Sequence, residues 1–173
     1  VADYGHGLMT PRVIDVLAEA PGVVAVNTQS NAGNRGYNSV SRYPRLDLVS
    51  LNGGEISLEL RRKHSSVEAL LPELGEQTSA RWIVVTEGAR GLAIWREGGF
   101  VERMPAFTNT VRDRVGAGDA LFVAVSLLFA TSAPVEVVGL CGNLAGAAMV
   151  SDLGNRYTLK ASDLLKHSQA LLK

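Results

Sequence analysis

Apolar and polar positions alternate along this chain in a way that predicts strands and helices in turn. Residues 1–4 pattern as the end of a strand, followed by the turn Gly5-His6-Gly7. Thr10 stands where an N-cap would, with Pro11 at the first helical position and Val13, Ile14, Val16 and Leu17 as the apolar face. Pro21-Gly22 ends that helix, and the β-branched run 23–27 suits a buried parallel strand. Residues 46–51 predict the next strand, 55–62 a short helix, and Val67–Gln77 a second helix containing Pro72. Trp82–Thr86 reads as a strand, Gly88 and Gly91 turn it into Leu92–Arg96, and Gly98-Gly99 makes a hairpin to Phe100–Met104. Two apolar helices follow, Ala117–Ala130 and Val135–Val150. Glu136 is the only charge from 120 to 150, so both should be buried on most faces. An amphipathic helix at 162–172, capped by Ser162, closes the pattern.

Strand–helix alternation argues for an α/β fold: a mainly parallel sheet flanked by helices, with one β-hairpin as the exception. Ligands of such sheets collect beyond the carboxyl ends of the strands. That makes 5–8, 28–45, 52–55, 87–90 and 113–119 the loops to watch. The second of these is unusually long and polar, with Asn31, Asn34 and Asn38 interleaved among Gly33, Gly36 and Ser39. A functional or mobile loop and a solvated loop folded by Asx turns both fit it.

Composition narrows the classes. At 173 residues and 46% hydrophobic, the chain has material for one compact domain. Seventeen basic residues balance seventeen acidic ones, and Arg61-Arg62-Lys63 is the only dense basic cluster. A nucleic-acid or anionic-membrane surface would need more positive charge on one face, so neither partner is expected. The apolar stretches 120–130 and 140–150 fall short of the ~20 residues a bilayer takes. One cysteine, Cys141, excludes an internal disulfide framework and points to a reducing, cytoplasmic setting, and its apolar neighbours suggest a structural thiol. His6, His64 and His167 are scattered, without zinc spacing. There is no initiator Met, and a chain opening on the end of a buried strand reads as a fragment.

Four short segments carry candidate chemistry. In Asp113-Arg114-Val115-Gly116-Ala117-Gly118-Asp119 two glycines allow a tight turn into an apolar helix. The amides of Gly116, Ala117 and Gly118 then converge near the helix N-terminus, which favours a phosphate or developing anion. Asp119, in the first turn, could take a proton from an attacking hydroxyl, or simply favour the helix dipole. Asn52-Gly53-Gly54-Glu55 admits two readings equally: a water-relayed magnesium site against phosphates, or a capping box. Thr86-Glu87-Gly88-Ala89-Arg90-Gly91 is either a nucleotide rim or a plain turn. Asp3-Tyr4-Gly5-His6-Gly7 puts an aspartate at a strand's carboxyl end, suited to a sugar hydroxyl or to a turn.

Together and in this order, these segments resemble the ribokinase (phosphofructokinase-B) family of carbohydrate kinases, over nearly all of the chain. Residues 113–119 look like its Asp-Thr-x-Gly-Ala-Gly-Asp signature, 52–55 like its Asn-x-x-Glu motif, and 86–91 like its nucleotide turn. Residues 3–7 look closest to Asp-Tyr-Gly-Lys-Gly of the heptose-phosphate kinase branch, which includes kinases fused to nucleotidylyltransferases. The resemblance implies a ribokinase-like fold whose N-terminal half and lid are missing, with residues 1–173 a single partial domain. It implies Asp119 as general base for ATP-dependent phosphorylation of a sugar or sugar-phosphate hydroxyl, the 116–118 amides as anion hole, and Asn52 and Glu55 organising Mg2+. Thr86, Gly88 and Gly91 would flank the nucleotide, with Asn143 near its base and Arg114 beside the phosphates. Asp3, Gly5 and His6 would face the sugar, and Asp113 a monovalent cation. A homodimer is compatible with an exposed strand edge.

Three departures stand out. Arg114 replaces the usual Thr, His6 replaces Lys, and Asn27-Thr28-Gln29 stands where the heptose branch shows Asp-Pro-Lys. Arg35, Arg42 or Arg45 would be the replacements for that lysine. A non-catalytic nucleotide-binding or scaffold domain of a bifunctional nucleotidylyltransferase is the competing expectation.

Overall fold

Parallel pairing starts with two short strands, β1 (Ala2–Asp3) and β2 (Ala25–Thr28), and continues through β3 (Leu48–Asn52) and β4 (Trp82–Thr86). With β5 (Leu92–Arg96) and β6 (Phe100–Met104) they form one six-stranded sheet whose order follows the chain. The helices are α1 (Pro11–Ala18), α2 (Gly53–Glu59), α3 (Val67–Gln77), α4 (Ala117–Ala130), α5 (Val135–Val150) and α6 (Ala161–Leu171). This computed structural model describes residues 1–108, 112–150 and 160–171. Contacts sort the chain into two compact units, Val1–Glu87 with Ala93–Glu102, and Gly88–Leu92 with Arg103–Lys173.

Register decides the core of the first unit. Val26 pairs with Val49, Val49 with Ile83, and Leu51 with Val85, so all five side chains share one face of the sheet. Ile14 of α1, Ile56 of α2 and Leu70, Leu71 and Leu74 of α3 join them in a single buried cluster. Each such side chain stabilises by about 1.5–3 kcal/mol relative to its exposed state. Leu48, Val84 and Ile94 point to the other face and are equally buried. Burial on both faces is why these strands read as continuous apolar runs. Gly75 brings α3 against Trp95, since a Cβ there would lie 2.4 Å from the indole ring.

In the second unit α4 packs along α5, and α5 contacts α6. Gly142 permits the first contact, because a Cβ there would sit 2.7 Å from Val125 Cγ2. Leu121, Phe122, Val125, Val138, Leu144 and Ala145 are buried, but α4 leaves Val123 and Leu127 at 55% and 65% exposure. The expectation of burial on most faces therefore holds for only part of α4.

Several element ends differ from expectation, each for a local reason. β2 begins at Ala25 instead of 23 because the Val24 amide donates to Asp47 Oδ2 at 2.8 Å. β3 begins at Leu48 instead of 46, since Leu46 N donates to Ser79 Oγ at 3.0 Å and so lies outside the ladder. α2 starts two residues before Glu55 because Asn52 caps it. α6 starts at Ala161, so Ser162 lies inside the first turn; Asp163 Oδ2 accepts from Lys160 N at 3.3 Å instead.

Candidate active site

At the carboxyl end of β1, Asp3 is 3% exposed and faces inward. Its carboxylate accepts from Gly5 N at 2.9 Å, Tyr43 Oη at 2.7 Å and Arg42 at 2.5 Å. Burial pushes the carboxyl up, and the Tyr43, Gly5 and Arg42 contacts outweigh it, holding Asp3 below its ordinary value. All three donors are internal, so Asp3 organises the strand end. Gly5 has φ +69, and a Cβ would lie 2.2 Å from Asn34 Nδ2, so only glycine lets the two loops meet. His6 is exposed, with Nε2 3.4 Å from Asn31 Nδ2.

The Asn-rich loop proves to be stapled. Asn31 and Asn34 both donate to Tyr4 O, at 3.0 and 2.8 Å, and Asn34 also to Gln29 O at 3.0 Å. Asn38 donates to Asp3 O at 2.8 Å. Asn31 Oδ1 accepts from Gly33 N and Asn34 N, an Asx turn, while Asn34 Oδ1 returns the favour to Asn31 N at 2.7 Å. At the loop's far side Glu59 of α2 collects Ser39 Oγ, Val40 N, and Ser41 N and Oγ. Sequence reading missed Glu59 and Tyr43 as organisers. Glu59 stands one helical turn beyond Glu55, a spacing that puts both on one face and was a usable signal.

Asn52 and Glu55 make a complete capping box. Asn52 Oδ1 accepts from Gly54 N and Glu55 N, both at 2.9 Å, and Glu55 Oε2 accepts from Asn52 N at 2.8 Å. Glu55 Oε1 reaches outside its helix to Ser30 N at 3.0 Å, tying α2 to the loop after β2. Burial raises the Glu55 carboxyl above its ordinary value, with the Asn52 and Ser30 amides opposing. Thr86 ends β4 directly beside Asn52, its register partner.

A groove of about 390 Å3 is lined by Ser30, Asn31, Arg35, Asn52 and Glu55, and an adjoining cavity of about 120 Å3 shares Ser30 and Glu55 with it. Both lie within the first unit.

In the second unit, Gly88 and Gly91 close a 3-10 turn, Gly91 N donating to Gly88 O at 3.0 Å. Gly91 has φ +85, and a Cβ would come 2.0 Å from Met104 O, so the turn lies flat on the chain after β6. Asn143 is buried in α5 and donates to Pro105 O at 3.0 Å. Burial pushes the Cys141 thiol up, as suits a structural thiol.

The signature loop folds around Asp113, whose Oδ1 accepts from Val115 N at 3.0 Å. Gly116 is the N-cap of α4, left-handed at φ 80, with no side-chain cap bond. Helix starts leave their first amides to be satisfied from outside the ladder. Here Ala117 N reaches Arg114 O only at 3.4 Å, and a Cβ on exposed Gly118 would meet nothing within 4 Å among the described residues. Asp119 stands in this first turn, half-buried, and Arg114, two residues before the Gly116 cap, is exposed. An uncapped, open helix start with a cation and a carboxylate at hand can bind an anion and move a proton next to it.

Among the described residues no group of three or more His, Cys, Asp or Glu is placed to hold a metal, and no helix is long and apolar enough to cross a membrane.

The family model for pfkB family carbohydrate kinases matches residues 20–161. Bifunctional protein HldE of Campylobacter jejuni (strain RM1221) is 29% identical over 160 residues, covering 90% of this chain and 33% of that protein. Its namesake in Wolinella succinogenes is 24% identical over 159 residues, covering 90% and 32%. The chain thus spans about a third of the length of the curated relatives it matches. Phosphofructokinase-2 from Escherichia coli in complex with potassium superposes with TM-score 0.77 at 21% identity, over 94% of this chain and 52% of that one. Ribokinase from Thermotoga maritima gives 0.74 at 20%, over 90% and 52%, and both likenesses show a ribokinase-like fold. With the glycine-led start of α4, the Asn52–Glu55 pair and the Gly88–Gly91 turn all inside or bordering the matched span, the chain belongs to the pfkB family of carbohydrate kinases.

Proposed function

We propose that residues 1–173 are a single partial domain, the nucleotide-side half of a kinase that uses ATP to phosphorylate a sugar or sugar-phosphate hydroxyl. The observation that supports this best is the start of α4, where a left-handed Gly116 leaves the helix uncapped and Gly118 leaves space before it. Asp119 takes the proton of the acceptor hydroxyl as its oxygen attacks the γ-phosphorus. The γ-phosphorus–oxygen bond to ADP breaks in the same displacement. Amides of Gly116, Ala117 and Gly118 hold the negative charge on the transferring group, and Arg114 adds positive charge beside them. Thr86, Gly88 and Gly91 flank the nucleotide and Asn143 approaches its base. On the sugar side Gly5 and His6 make contacts, and Asp3 accepts from Gly5 N while Tyr43 and Arg42 brace its carboxylate.

Asn52 and Glu55 fit a magnesium ion only through water. Both Glu55 oxygens already accept an amide, which leaves one lone pair on each, and no group of three or more His, Cys, Asp or Glu among the described residues is placed to hold a metal directly. Magnesium keeps several waters and is commonly held by one or two carboxylates plus substrate phosphates, so this donor set suits it. When bound, it neutralises charge on the nucleotide phosphates. Asp113 is the candidate for a monovalent cation, a type of ion present in the phosphofructokinase-2 complex. A fused nucleotidylyltransferase is the partner this reading favours, given relatives named as bifunctional.

The test is Asp119→Asn in the full-length protein. Phosphoryl transfer should fall by about 10²–10⁴ while nucleotide affinity stays within a few fold. Normal turnover by this variant sinks the base assignment. A wild-type protein that binds ATP yet transfers to no sugar or sugar phosphate supports a scaffold domain instead.

A further inference from the structure

The loop after β2 carries three arginines, and the structure sorts them. Arg42 is paired with buried Asp3. Arg45 donates to the carbonyls of Ala18, Ala20 and Gly22 and to Asp47, bracing the end of α1. Arg35 has no hydrogen-bonding or ionic partner among the described residues, and it lines the groove of about 390 Å3 beside Asn52 and Glu55. Its backbone is fixed nonetheless. The Asx turn at Asn31 and the Asn34 contacts to Tyr4 and Gln29 hold the residues immediately before it.

A free guanidinium on a stapled turn, at the wall of a polar groove, is arranged to meet a ligand. Its planar fork suits phosphate oxygens, which it can take two at a time. The staple means little backbone ordering is left to oppose binding. Glu55 contributes a carboxylate to the same groove, so an anion entering it needs a cation at the wall, and Arg35 is the cation that lines this groove, with Arg61 lining the adjoining cavity.

We propose that Arg35 is the phosphate-binding residue of this groove, taking the phosphate of a phosphoanhydride or of a phosphate monoester. The proposal rests on the kinase reading only for the source of that phosphate, either the nucleotide tail or a sugar-phosphate acceptor.

The experiment compares wild type, Arg35→Ala, Arg35→Lys and Arg12→Ala by calorimetry with inorganic pyrophosphate, magnesium–ATP and sedoheptulose 7-phosphate. Arg12 is an exposed cation on α1 and serves as the control. Arg35→Ala should weaken pyrophosphate about tenfold or more, Arg35→Lys should recover part of the loss, and Arg12→Ala should change nothing. The wild-type affinity should also fall more steeply with salt than that of Arg35→Ala. A matching loss for ATP alone assigns the nucleotide tail, and a loss for the sugar phosphate alone assigns the acceptor. If all probes bind Arg35→Ala as they bind wild type, the proposal is overturned while the kinase reading stands. If pyrophosphate binding depends on Arg35 but no nucleotide binds, the proposal stands and the kinase reading falls. A wild type that binds no phosphate-bearing probe overturns both.

Discussion

Replacing Asp3 by Ala should cost about 2–4 kcal/mol of stability. The figure comes from what the substitution leaves behind. Tyr43 is 4% exposed, and its hydroxyl loses the acceptor it has among the described residues, a loss worth about 1–3 kcal/mol. Arg42 is 35% exposed, so water compensates most of its loss, leaving below about 1 kcal/mol. Gly5 N loses an acceptor as well, in a turn where water can substitute. Tyr43→Phe alone should cost about 1 kcal/mol, and the double variant should show a coupling of about 1–2 kcal/mol. Urea unfolding followed by tryptophan fluorescence is the assay. The chain's two tryptophans, Trp82 and Trp95, both lie in the compact unit that contains Asp3. The pH dependence has a definite sign. Asp3 is held below its ordinary value, so its contribution is complete above the unfolded aspartate pKa of about 3.9 and disappears as pH falls through the lower folded value. The gap between wild type and Asp3→Ala should therefore be flat near neutrality and close in acid. A loss under about 0.5 kcal/mol, or additive single variants, would mean that Asp3 does not organise this strand end.

Two further outcomes test the local chemistry. Burial first, and then the Asp3 carboxylate, push the Tyr43 phenol up to about 12. Its contribution to stability is thus complete below the unfolded value of about 10 and is lost as pH rises through the folded one. In an ultraviolet titration one tyrosine should ionise late, and Tyr43→Phe should remove that late phase; a single common transition refutes the assignment. Gly91→Ala should destabilise by about 2–5 kcal/mol, combining left-handed backbone strain with a Cβ 2.0 Å from Met104 O. Gly88→Ala, at φ +60 with nothing within 4 Å, should lose only the backbone part, about 1–2 kcal/mol, so equal losses in a thermal melt would contradict the close approach.

Legibility in the sequence followed the range of the interactions. α3, β4, β5, β6, α4 and α5 were readable to their ends, because glycine pairs, prolines and apolar runs act locally. α2 was misplaced at both ends, starting at Gly53 instead of 55 and ending at Glu59 instead of 62. Gly53 and Gly54 are poor helix formers, yet the Asn52 cap and its reciprocal Glu55 overrule that preference. Of the two readings of Asn52 and Glu55, the capping box is the one the structure contains, and the magnesium reading is carried as part of the proposed function. The Asn-rich loop could not be resolved from sequence. Its partners, Asp3 and Tyr4 on one side and Glu59 on the other, are distant in the chain, and nothing local distinguishes a clipping asparagine from a solvated one. The same holds for Asp3. A strand-end aspartate looks the same in sequence whether it faces a ligand or, as here, a buried tyrosine and arginine. Of the loop arginines named as lysine replacements, two turned out to be committed to the scaffold.

Sheet order has a bearing on how this chain assembles. Each strand neighbours the strand next to it in sequence, from β1 through β6, so no strand waits for a partner made much later. Ala2 pairs with Asn27, and Leu48 pairs with Ala25 on one side and Trp82 on the other. Parallel pairing is ordinarily slow because a crossover must close before any ladder forms. Here each crossover leads directly to the neighbouring strand, the one at 53–81 carrying both α2 and α3, and the sheet can grow one strand at a time as the polypeptide leaves the ribosome. A growing edge of this kind is always one strand from completion, which shortens the time that unpaired backbone is open to another chain.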